Sequence, residues 1–239
     1  MSALDLNNIQ TYIINLDSRP DRWADIQKQI SFLREDQVTR FSAVNKNNLP
    51  AVEVEAFKDG AWGRNLEDRY VAASLACLKS HVDCLNHAKR SGYPYVLILE
   101  DDAVFESYAP RVMAKAFQQV EAFNWDVLFL GGKLKTKKGG KASRVAKNLL
   151  RVRKLRLAHA YIVNEQAYDK IINEALSKKV PIDWYYSDFL QDAGTSYLVD
   201  PPVAFQKEDA MSDIAGQVVH KKKIKNKLRR LIGYLRSFI

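Results

Sequence analysis

Cysteine is scarce in this 239-residue chain, which contains only Cys77 and Cys84. The two residues fall in one helical stretch, where seven residues of separation correspond to about 10 Å of helix rise, too far for a disulfide. This excludes a disulfide-stabilised scaffold. We expect two reduced, packed thiols, as in a cytoplasmic protein.

Long apolar runs are also missing. No stretch approaches the roughly 20 consecutive apolar residues that a membrane-spanning helix requires. The first ten residues have neither a basic segment nor an apolar segment of the kind that forms a secretory signal, so we expect no signal there. Internal repeats are absent as well.

Positive charge is abundant but lies mostly in two segments. The basic tail, residues 221–239, contains eight Lys and Arg and no acid, and the basic block, residues 133–156, contains eleven and no acid. Because the whole chain carries +9, the remaining residues are net negative, near −10. The pI of about 9.4 therefore describes these two segments rather than the whole protein.

Apolar strand-like runs alternate with helical patterns along the chain. The clearest strands are predicted at 11–16, 95–99, 126–130 and 158–163, and the clearest helix at 72–89. Strands separated by helices predict an α/β fold with a mainly parallel central sheet. We assign this domain to residues 1–215, a length sufficient for a substantial core.

Three adjacent acids, Glu100, Asp101 and Asp102, follow the apolar run YVLIL. In open α/β sheets ligands bind outside the carboxyl ends of the strands, and adjacent carboxylates repel one another unless cations compensate. Divalent cations such as Mn²⁺ or Mg²⁺ bridge carboxylates to phosphates. The triplet therefore predicts a metal and nucleotide-diphosphate site, with a solvated helix cap as the alternative. Strand alternation predicts Glu100 and Asp102 on one side and Asp101 on the other.

Further motifs accompany the triplet, and together they carry a family resemblance. They are YIINLDSRPDR at 12–22, ACLKSH at 76–81, ILEDDA at 98–103, HAYIV at 159–163 and PID at 181–183. In this order they resemble glycosyltransferase family 25, which includes bacterial lipopolysaccharide and lipooligosaccharide glycosyltransferases, many of them galactosyltransferases. The resemblance implies a GT-A-like nucleotide-binding fold and inverting transfer from a UDP-sugar, with UDP-galactose as the leading candidate.

The resemblance also suggests roles for individual acids. By analogy with GT-A enzymes, Asp102 would bind manganese and Asp101 would contact the nucleotide ribose, with Glu100 beside them. His159 is a candidate for an additional metal ligand, with His220 as the weaker choice. The alternative for His159 is a packed histidine without contact to metal.

Other polar residues of the motifs are candidates for binding the donor nucleotide: Asn15, Asp17, Arg19, Arg22, Ser80 and His81. An arginine at the end of the first strand could pair with a diphosphate, and Asn or Asp could read the base or ribose. The alternative is a helix cap with solvated charges. Ser80 and His81 lie in the middle of the predicted helix, where polar residues often only face solvent.

Asp183 is the candidate for the base that takes the proton of the acceptor hydroxyl. It precedes Trp184, Tyr185 and Tyr186, whose rings could stack on a sugar beside the acid. The alternative is that Asp183 caps a helix and the aromatic residues pack in the core. Asp188 and Asp192 are weaker candidates for the same role.

The basic tail has an apolar stripe at helical spacing: Ile224, Leu228, Leu231, Leu235 and Phe238. A cationic amphipathic helix of this kind, assigned to 216–239, binds anionic membrane surfaces. We therefore expect a peripheral protein on the inner face of a bacterial inner membrane, acting on a lipid-linked oligosaccharide acceptor. Packing of the helix on its own domain is the alternative, and no motif favours nucleic acid. The basic block could bind acceptor phosphates or membrane, or form a mobile loop.

Two other functions remain open at this level. One is a catalytically silent membrane-associated protein that retains the transferase fold. The other is a metal-dependent phosphotransferase that uses the same acids, which the motifs outside the triplet disfavour.

Overall fold

The computed structural model describes residues 4–207 and 233–234. The strands are β1 Gln10–Asn15, β2 Val38–Ser42, β3 Tyr95–Glu100, β4 Ala103–Phe105, β5 Val127–Phe129, β6 Lys133–Leu134, β7 Lys141–Ala146, β8 Leu149–Arg153, β9 Leu155–Arg156, β10 Ala160–Asn164, β11 Ser196–Val199 and β12 Ala204–Gln206. The α-helices are α1 Pro20–Gln29, α2 Ala51–Lys58, α3 Asp68–Arg90, α4 Ala109–Val120, α5 Tyr168–Glu174 and α6 Ile182–Tyr185. Short 3₁₀ segments lie at Glu35–Gln37, Lys46–Asn48, Thr136–Lys138, Glu165–Ala167, Leu176–Lys178 and Gln191–Ala193, and a π-helical turn at Tyr186–Leu190 continues α6.

Eight strands form one sheet in the order β2-β1-β3-β10-β5-β11-β8-β7. Strand β1 pairs in parallel with β2 and β3, and β5 pairs in parallel with β11. Strand β10 lies between β3 and β5 and runs antiparallel to both, and the pairings of β8 with β11 and β7 are also antiparallel. The predicted α/β fold with a large central sheet is confirmed, and this sheet mixes parallel and antiparallel pairings.

Helices cover both faces of the sheet, which explains why β3 is apolar at successive positions. Val96 and Ile98 pack in the cluster that contains the inner face of α3, whereas Leu97 and Leu99 pack in the cluster that contains α1 and α4. The four side chains are fully buried. Burial on two faces fixes β3 as a central strand and directs its carboxyl end to the edge of the sheet.

The basic block is folded rather than a mobile loop, so that interpretation is wrong. Strands β7 and β8 form a hairpin at the edge of the large sheet, and β6 pairs with β9 in a separate ribbon. Alternation explains β8, because Val152 is buried while Arg151 and Arg153 are exposed. In the sequence this alternation is hard to recognise, because the outward-facing residues of the strand are charged.

Most of the basic tail lies outside the described residues, so the predicted amphipathic helix at 216–239 stays a prediction. Its described residues, Gly233 and Tyr234, are helical, and Gly233 is buried. A Cβ added at Gly233 would lie 2.4 Å from the hydroxyl oxygen of Tyr108, so this residue is in close contact with the domain. Within the part of the chain that is described, no helix is both long and apolar enough to cross a bilayer.

Candidate active site

A cavity of about 290 Å³ opens where β3 ends and the acidic triplet begins. Strand β3 ends at Glu100, and Asp101 and Asp102 form the following turn. Six of the predicted site residues line this cavity: Arg22, Ser80, His81, Glu100, Asp101 and Asp102. The segment after β1, the middle of α3 and the carboxyl end of β3 therefore meet at one place.

Asp101 is held by two side chains from the first-strand motif. Asn15 donates from Nδ2 to Oδ2 of Asp101 at 2.8 Å, and Arg22 donates from Nη1 to Oδ1 at 3.0 Å. Burial raises the pKa of Asp101, and the bonds from Asn15 and Arg22 oppose this rise. The arrangement fixes the turn of the triplet to the loop after β1.

Asn15 connects that loop to neighbouring segments through its side-chain hydrogen bonds. Its Nδ2 also donates to the backbone oxygen of Arg19 at 3.0 Å, and its Oδ1 accepts from Nε of Arg40 at 2.9 Å. Each of its polar side-chain atoms is thus engaged within the protein. Asp17 is exposed and binds Arg40 and Ser42 instead. These observations assign Asn15 to support of the site and place Asp17 outside the cavity lining among the described residues.

Arg19 and Arg22 lie in different environments. Arg19 pairs with the exposed Asp21 at 2.8 Å, outside the cavity lining, whereas Arg22 lines the cavity beside Asp101. Only 16% of the Arg22 side chain is exposed. Of the two predicted diphosphate partners, Arg22 is the one that the fold brings to the acidic triplet.

His81 and Glu100 form a partly buried polar pair at the wall of the cavity. Nε2 of His81 lies 3.4 Å from Oε1 of Glu100, and Nδ1 lies 2.7 Å from the hydroxyl of Tyr161. Gln206 donates to the other carboxylate oxygen of Glu100 at 3.4 Å. Burial alone would raise the pKa of Glu100, but the bond and charge of His81, with His159 and Gln206, lower it below its ordinary value. His81 therefore faces the site rather than solvent.

Ser80 binds backbone groups on two sides. Its hydroxyl donates to the carbonyl of Ala76 at 2.8 Å and accepts from the backbone N–H of Val44 at 2.9 Å. This residue is buried, so it fastens the segment after β2 to α3. Ser80 lies at the cavity wall, and its bonds give it a positioning role, while its predicted contact with the donor nucleotide stays a prediction.

Asp102 lines the cavity, while the other predicted metal ligand, His159, is buried behind it. His159 is 1% exposed and is not part of the cavity lining among the described residues. Its carbonyl accepts from the N–H of Glu100 at 2.9 Å. A Cβ added at Gly131 would lie 2.9 Å from Nε2 of His159 and 1.9 Å from the carbonyl oxygen of Ala204. The Gly-Gly pair after β5 therefore permits close packing inside the domain.

Asp183, the predicted base, lies at the start of α6 and is electrostatically coupled to the triplet. Its Oδ2 accepts from the N–H of Leu157 at 3.3 Å. Burial raises the pKa of Asp183, and the charge of Glu100 raises it further, against the effects of Leu157 and Arg156. Among the described residues Asp183 is not part of the cavity lining. A carboxyl group with a raised pKa is nevertheless suited to proton transfer.

The residues that follow Asp183 are not the sugar-stacking platform that their sequence suggests. Tyr185 and Tyr186 are fully buried in the core. Trp184 has the Arg156 guanidinium 3.4 Å from its ring centroid, which covers one face. The weaker base candidates are engaged in ion pairs: Asp188 with Lys154 and Arg156, and Asp192 with Arg153.

Sequence reasoning missed several residues of the cavity: Asn45, Lys46, Asn47, Cys77 and Gln206. The first three lie at a 3₁₀ segment within a stretch that shows no clear pattern, although the Asn side chain at its start caps it. Cys77 is a free thiol, as expected, yet it borders the cavity. Burial raises its pKa well above the ordinary value, as do the charges of Glu100, Asp183 and Asp102.

The donor atoms at the cavity fit a divalent cation. The carboxylates of Glu100 and Asp102 line its wall, and oxygen ligands of this kind suit Mn²⁺ and Mg²⁺. A second possible set consists of Cys77, His81 and Glu100, whose ligand atoms all lie within 4.8 Å of one another. The arrangement can therefore hold a cation together with an anionic ligand. The charge of Glu100 also acts on Asp183, whose pKa it raises.

Two known proteins with similar sequences are both named as glycosyltransferases. It is 26% identical over 193 residues to a procollagen galactosyltransferase 1 of Danio rerio, covering 73% of this chain and 30% of that protein. It is 27% identical over 188 residues to a procollagen lysyl hydroxylase and glycosyltransferase of Acanthamoeba polyphaga mimivirus, covering 73% and 21%. The chain thus spans less than a third of the length of these two relatives.

Among solved structures, a mannose-1-phosphate geranyltransferase from Thermus thermophilus is 12% identical, with 80% of this chain and 73% of that chain covered. The TM-score of 0.34 indicates only a distant likeness. The model of glycosyltransferase family 25 (LPS biosynthesis protein) matches residues 8–186, which include the loop after β1, the middle of α3, the acidic triplet and Asp183. The chain therefore belongs to glycosyltransferase family 25.

Proposed function

We propose that this glycosyltransferase moves galactose, with inversion, from UDP-galactose to a lipid-linked lipopolysaccharide or lipooligosaccharide acceptor, using Mn²⁺ or Mg²⁺. One observation carries the proposal: the acidic triplet lines a cavity that Arg22 and His81 also line. A cavity at the carboxyl end of a central strand is where a nucleotide binds in an α/β fold. Its adjacent carboxylates repel one another unless a cation binds, and that cation would bridge them to a diphosphate.

Asp102 is the proposed ligand of the metal, with His159 as the candidate for a further ligand from behind the cavity. When bound, the metal would stabilise the negative charge that develops on the departing diphosphate. Arg22 is close enough to the triplet to add a second positive charge. Asp101, held by Asn15 and Arg22, would present its remaining acceptor capacity to the ribose.

Asp183 is the proposed base that takes the proton from the attacking hydroxyl of the acceptor. Its raised pKa makes it a stronger base than an ordinary aspartate, and the left-handed Leu157, with φ of 78°, directs its N–H to this carboxylate. A general base of this kind contributes roughly 10²–10⁴ in rate. Attack on the face of the sugar opposite the diphosphate would then invert the anomeric carbon.

The donor sugar and the acceptor rest on different grounds. The name of the Danio rerio relative favours galactose. The acceptor and the location rest on charge, because the basic tail and basic block together carry nineteen Lys and Arg and no acid. We therefore propose a peripheral enzyme on the cytoplasmic face of a bacterial inner membrane, with residues 1–215 as the transferase domain and 216–239 as the membrane-binding helix.

The test of the site is Asp102→Asn, compared with Asp169→Asn, an exposed acid that pairs with Lys89 away from the cavity. Both variants should have the circular dichroism spectrum of the wild type. Only Asp102→Asn should lose Mn²⁺-dependent release of UDP from UDP-galactose. Full metal-dependent activity in that variant would refute the assignment. A thermal-shift screen of UDP, GDP and CMP sugars, with and without Mn²⁺, then tests the donor class.

The membrane proposal has its own experiment. Deletion of residues 221–239 should reduce binding to vesicles of anionic phospholipid much more than it reduces UDP-sugar turnover with a soluble acceptor. Each Lys or Arg near an anionic surface contributes about 1 kcal/mol, so loss of eight should abolish measurable binding. Equal vesicle binding by the truncated protein would remove this part of the proposal.

A further inference from the structure

Cys77, His81 and Glu100 present three different metal-ligating atoms to one point of the cavity wall. Cys77 and His81 lie four residues apart in α3 and so occupy one face of the helix, and Glu100 faces them from the end of β3. The sulfur, the ring nitrogen and a carboxylate oxygen all lie within 4.8 Å of one another. All three residues also border the cavity.

The separation of the His81 and Glu100 ligand atoms matches a tetrahedral ion. In a zinc site with metal–ligand distances of about 2.0–2.3 Å, neighbouring ligand atoms are about 3.3–3.6 Å apart. Nε2 of His81 and Oε1 of Glu100 are 3.4 Å apart, long for a hydrogen bond but the separation of two ligands on one zinc ion. The sulfur of Cys77 lies within 4.8 Å of both atoms, so a shift of at most about 1 Å would bring it to the third position.

The surroundings of His81 support the same conclusion. A histidine that binds metal usually engages its second ring nitrogen with a hydrogen-bond partner, which fixes the orientation of the ring. Nδ1 of His81 lies 2.7 Å from the hydroxyl of Tyr161, whose ring stacks on the imidazole at a centroid distance of 5.7 Å. The hydroxyl of Tyr186 donates to that of Tyr161 at 3.2 Å. Nε2 is thereby directed towards Glu100 and the cavity.

We propose that Cys77, His81 and Glu100 form a zinc site, with its fourth coordination position open to the cavity. Thiolate and imidazole ligands together select zinc, whereas a carboxylate such as Asp102 suits Mn²⁺ or Mg²⁺. The negative charges of Asp102 and Asp183 near the thiol favour a cation in this position. Binding converts the thiol to a thiolate and releases its proton to solvent. The site goes beyond the proposed sugar transfer and does not depend on it.

The full-length protein titrated with Co²⁺, which substitutes for zinc in such sites, should develop the near-ultraviolet absorption of a cobalt–thiolate bond. Cys77→Ser should abolish this band. Cys84→Ala is the matched control, because Cys84 lies on the same helix but is fully buried away from the cavity, and it should keep the band. Asp102→Asn should keep it as well, because that residue belongs to the other metal position.

Affinity for Zn²⁺, measured by competition with a chromogenic chelator, gives a second readout. Tyr161→Phe retains the ring and should weaken binding about 10- to 100-fold, because it removes the partner of Nδ1. Cys77→Ser should weaken it at least as much. The proposal is overturned if folded wild-type protein gives no thiolate band at saturating Co²⁺, if Cys77→Ser keeps the band, or if Asp102→Asn loses it. Because these readouts require no sugar donor, they stand apart from any failure of the transferase assay.

Discussion

Replacement of Gly131 by alanine tests the packing that places strand β12 beside the site. The added Cβ would lie 1.9 Å from the carbonyl oxygen of Ala204 and 2.9 Å from both its carbonyl carbon and Nε2 of His159. A carbon–oxygen contact needs about 3.4 Å, so the backbone of β12 must move by roughly 1.5 Å. Overpacking of this kind costs typically about 1–3 kcal/mol, and a clash with backbone belongs at the upper end.

The expected loss is about 3 kcal/mol, which for a domain of this size lowers the melting temperature by about 6–12 °C. Because β12 carries Gln206, which donates to Glu100, its displacement should also weaken binding of UDP-sugar. Thermal unfolding followed by circular dichroism measures the first effect, and calorimetric titration with UDP and Mn²⁺ measures the second.

Gly92→Ala is the control. A Cβ at Gly92 meets nothing within 4 Å, so alanine there is disfavoured only by its positive φ of 70°, at about 1–2 kcal/mol. Both variants share the small gain from a stiffer unfolded chain, about 0.4–1 kcal/mol. If Gly131→Ala melts no lower than Gly92→Ala and binds UDP normally, then the close approach of β12 does not constrain the site.

Two other substitutions test the electrostatics of the site. Arg22→Met removes the cation that pairs with Asp101 and leaves that carboxylate bonded to Asn15. The free energy of unfolding, measured by chemical denaturation, should fall by about 2–3 kcal/mol. Arg19→Met, at an exposed pair, should change stability little. Asp183→Asn should remove activity yet stabilise the fold at neutral pH, because a carboxyl with a raised pKa resists ionisation when folded. That gain should vanish as the pH falls through the ordinary pKa of aspartate, and a gain independent of pH would contradict this reasoning.

The position of the acidic triplet could be predicted from the sequence because its signals are local. An unbroken apolar run fixes β3 as a central strand, and three acids directly after it must then lie at the edge of the sheet. The motif after β1 leads to the same edge, because β1 and β3 are parallel. The sequence pattern does not reveal that Asn15 and Ser80 bind other protein groups and hold them in position.

The rest depends on contacts between distant segments. An apolar run has the same composition in either direction, so nothing local reveals that β10 is antiparallel to β3 and β5. The coupling of Asp183 to Glu100 follows from the packing of α6, which the sequence does not encode locally. The environment of Trp184 depends on Arg156, which covers one face of its ring. Arg156 lies in the basic block, and nothing in the sequence links that block to the PID motif.

The antiparallel direction of β10 has a consequence for how this enzyme can diversify. Parallel strands β1 and β3 deliver to the site the residues that follow them, whereas β10 delivers the residues that precede it, including Leu157 and His159. The segments that follow β1 and β3 at the cavity and the segment beside Asp183 are therefore encoded in separate loops. Exchange of residues 133–157 between relatives should alter the choice of acceptor while leaving the choice of nucleotide intact, so that the two specificities can evolve independently.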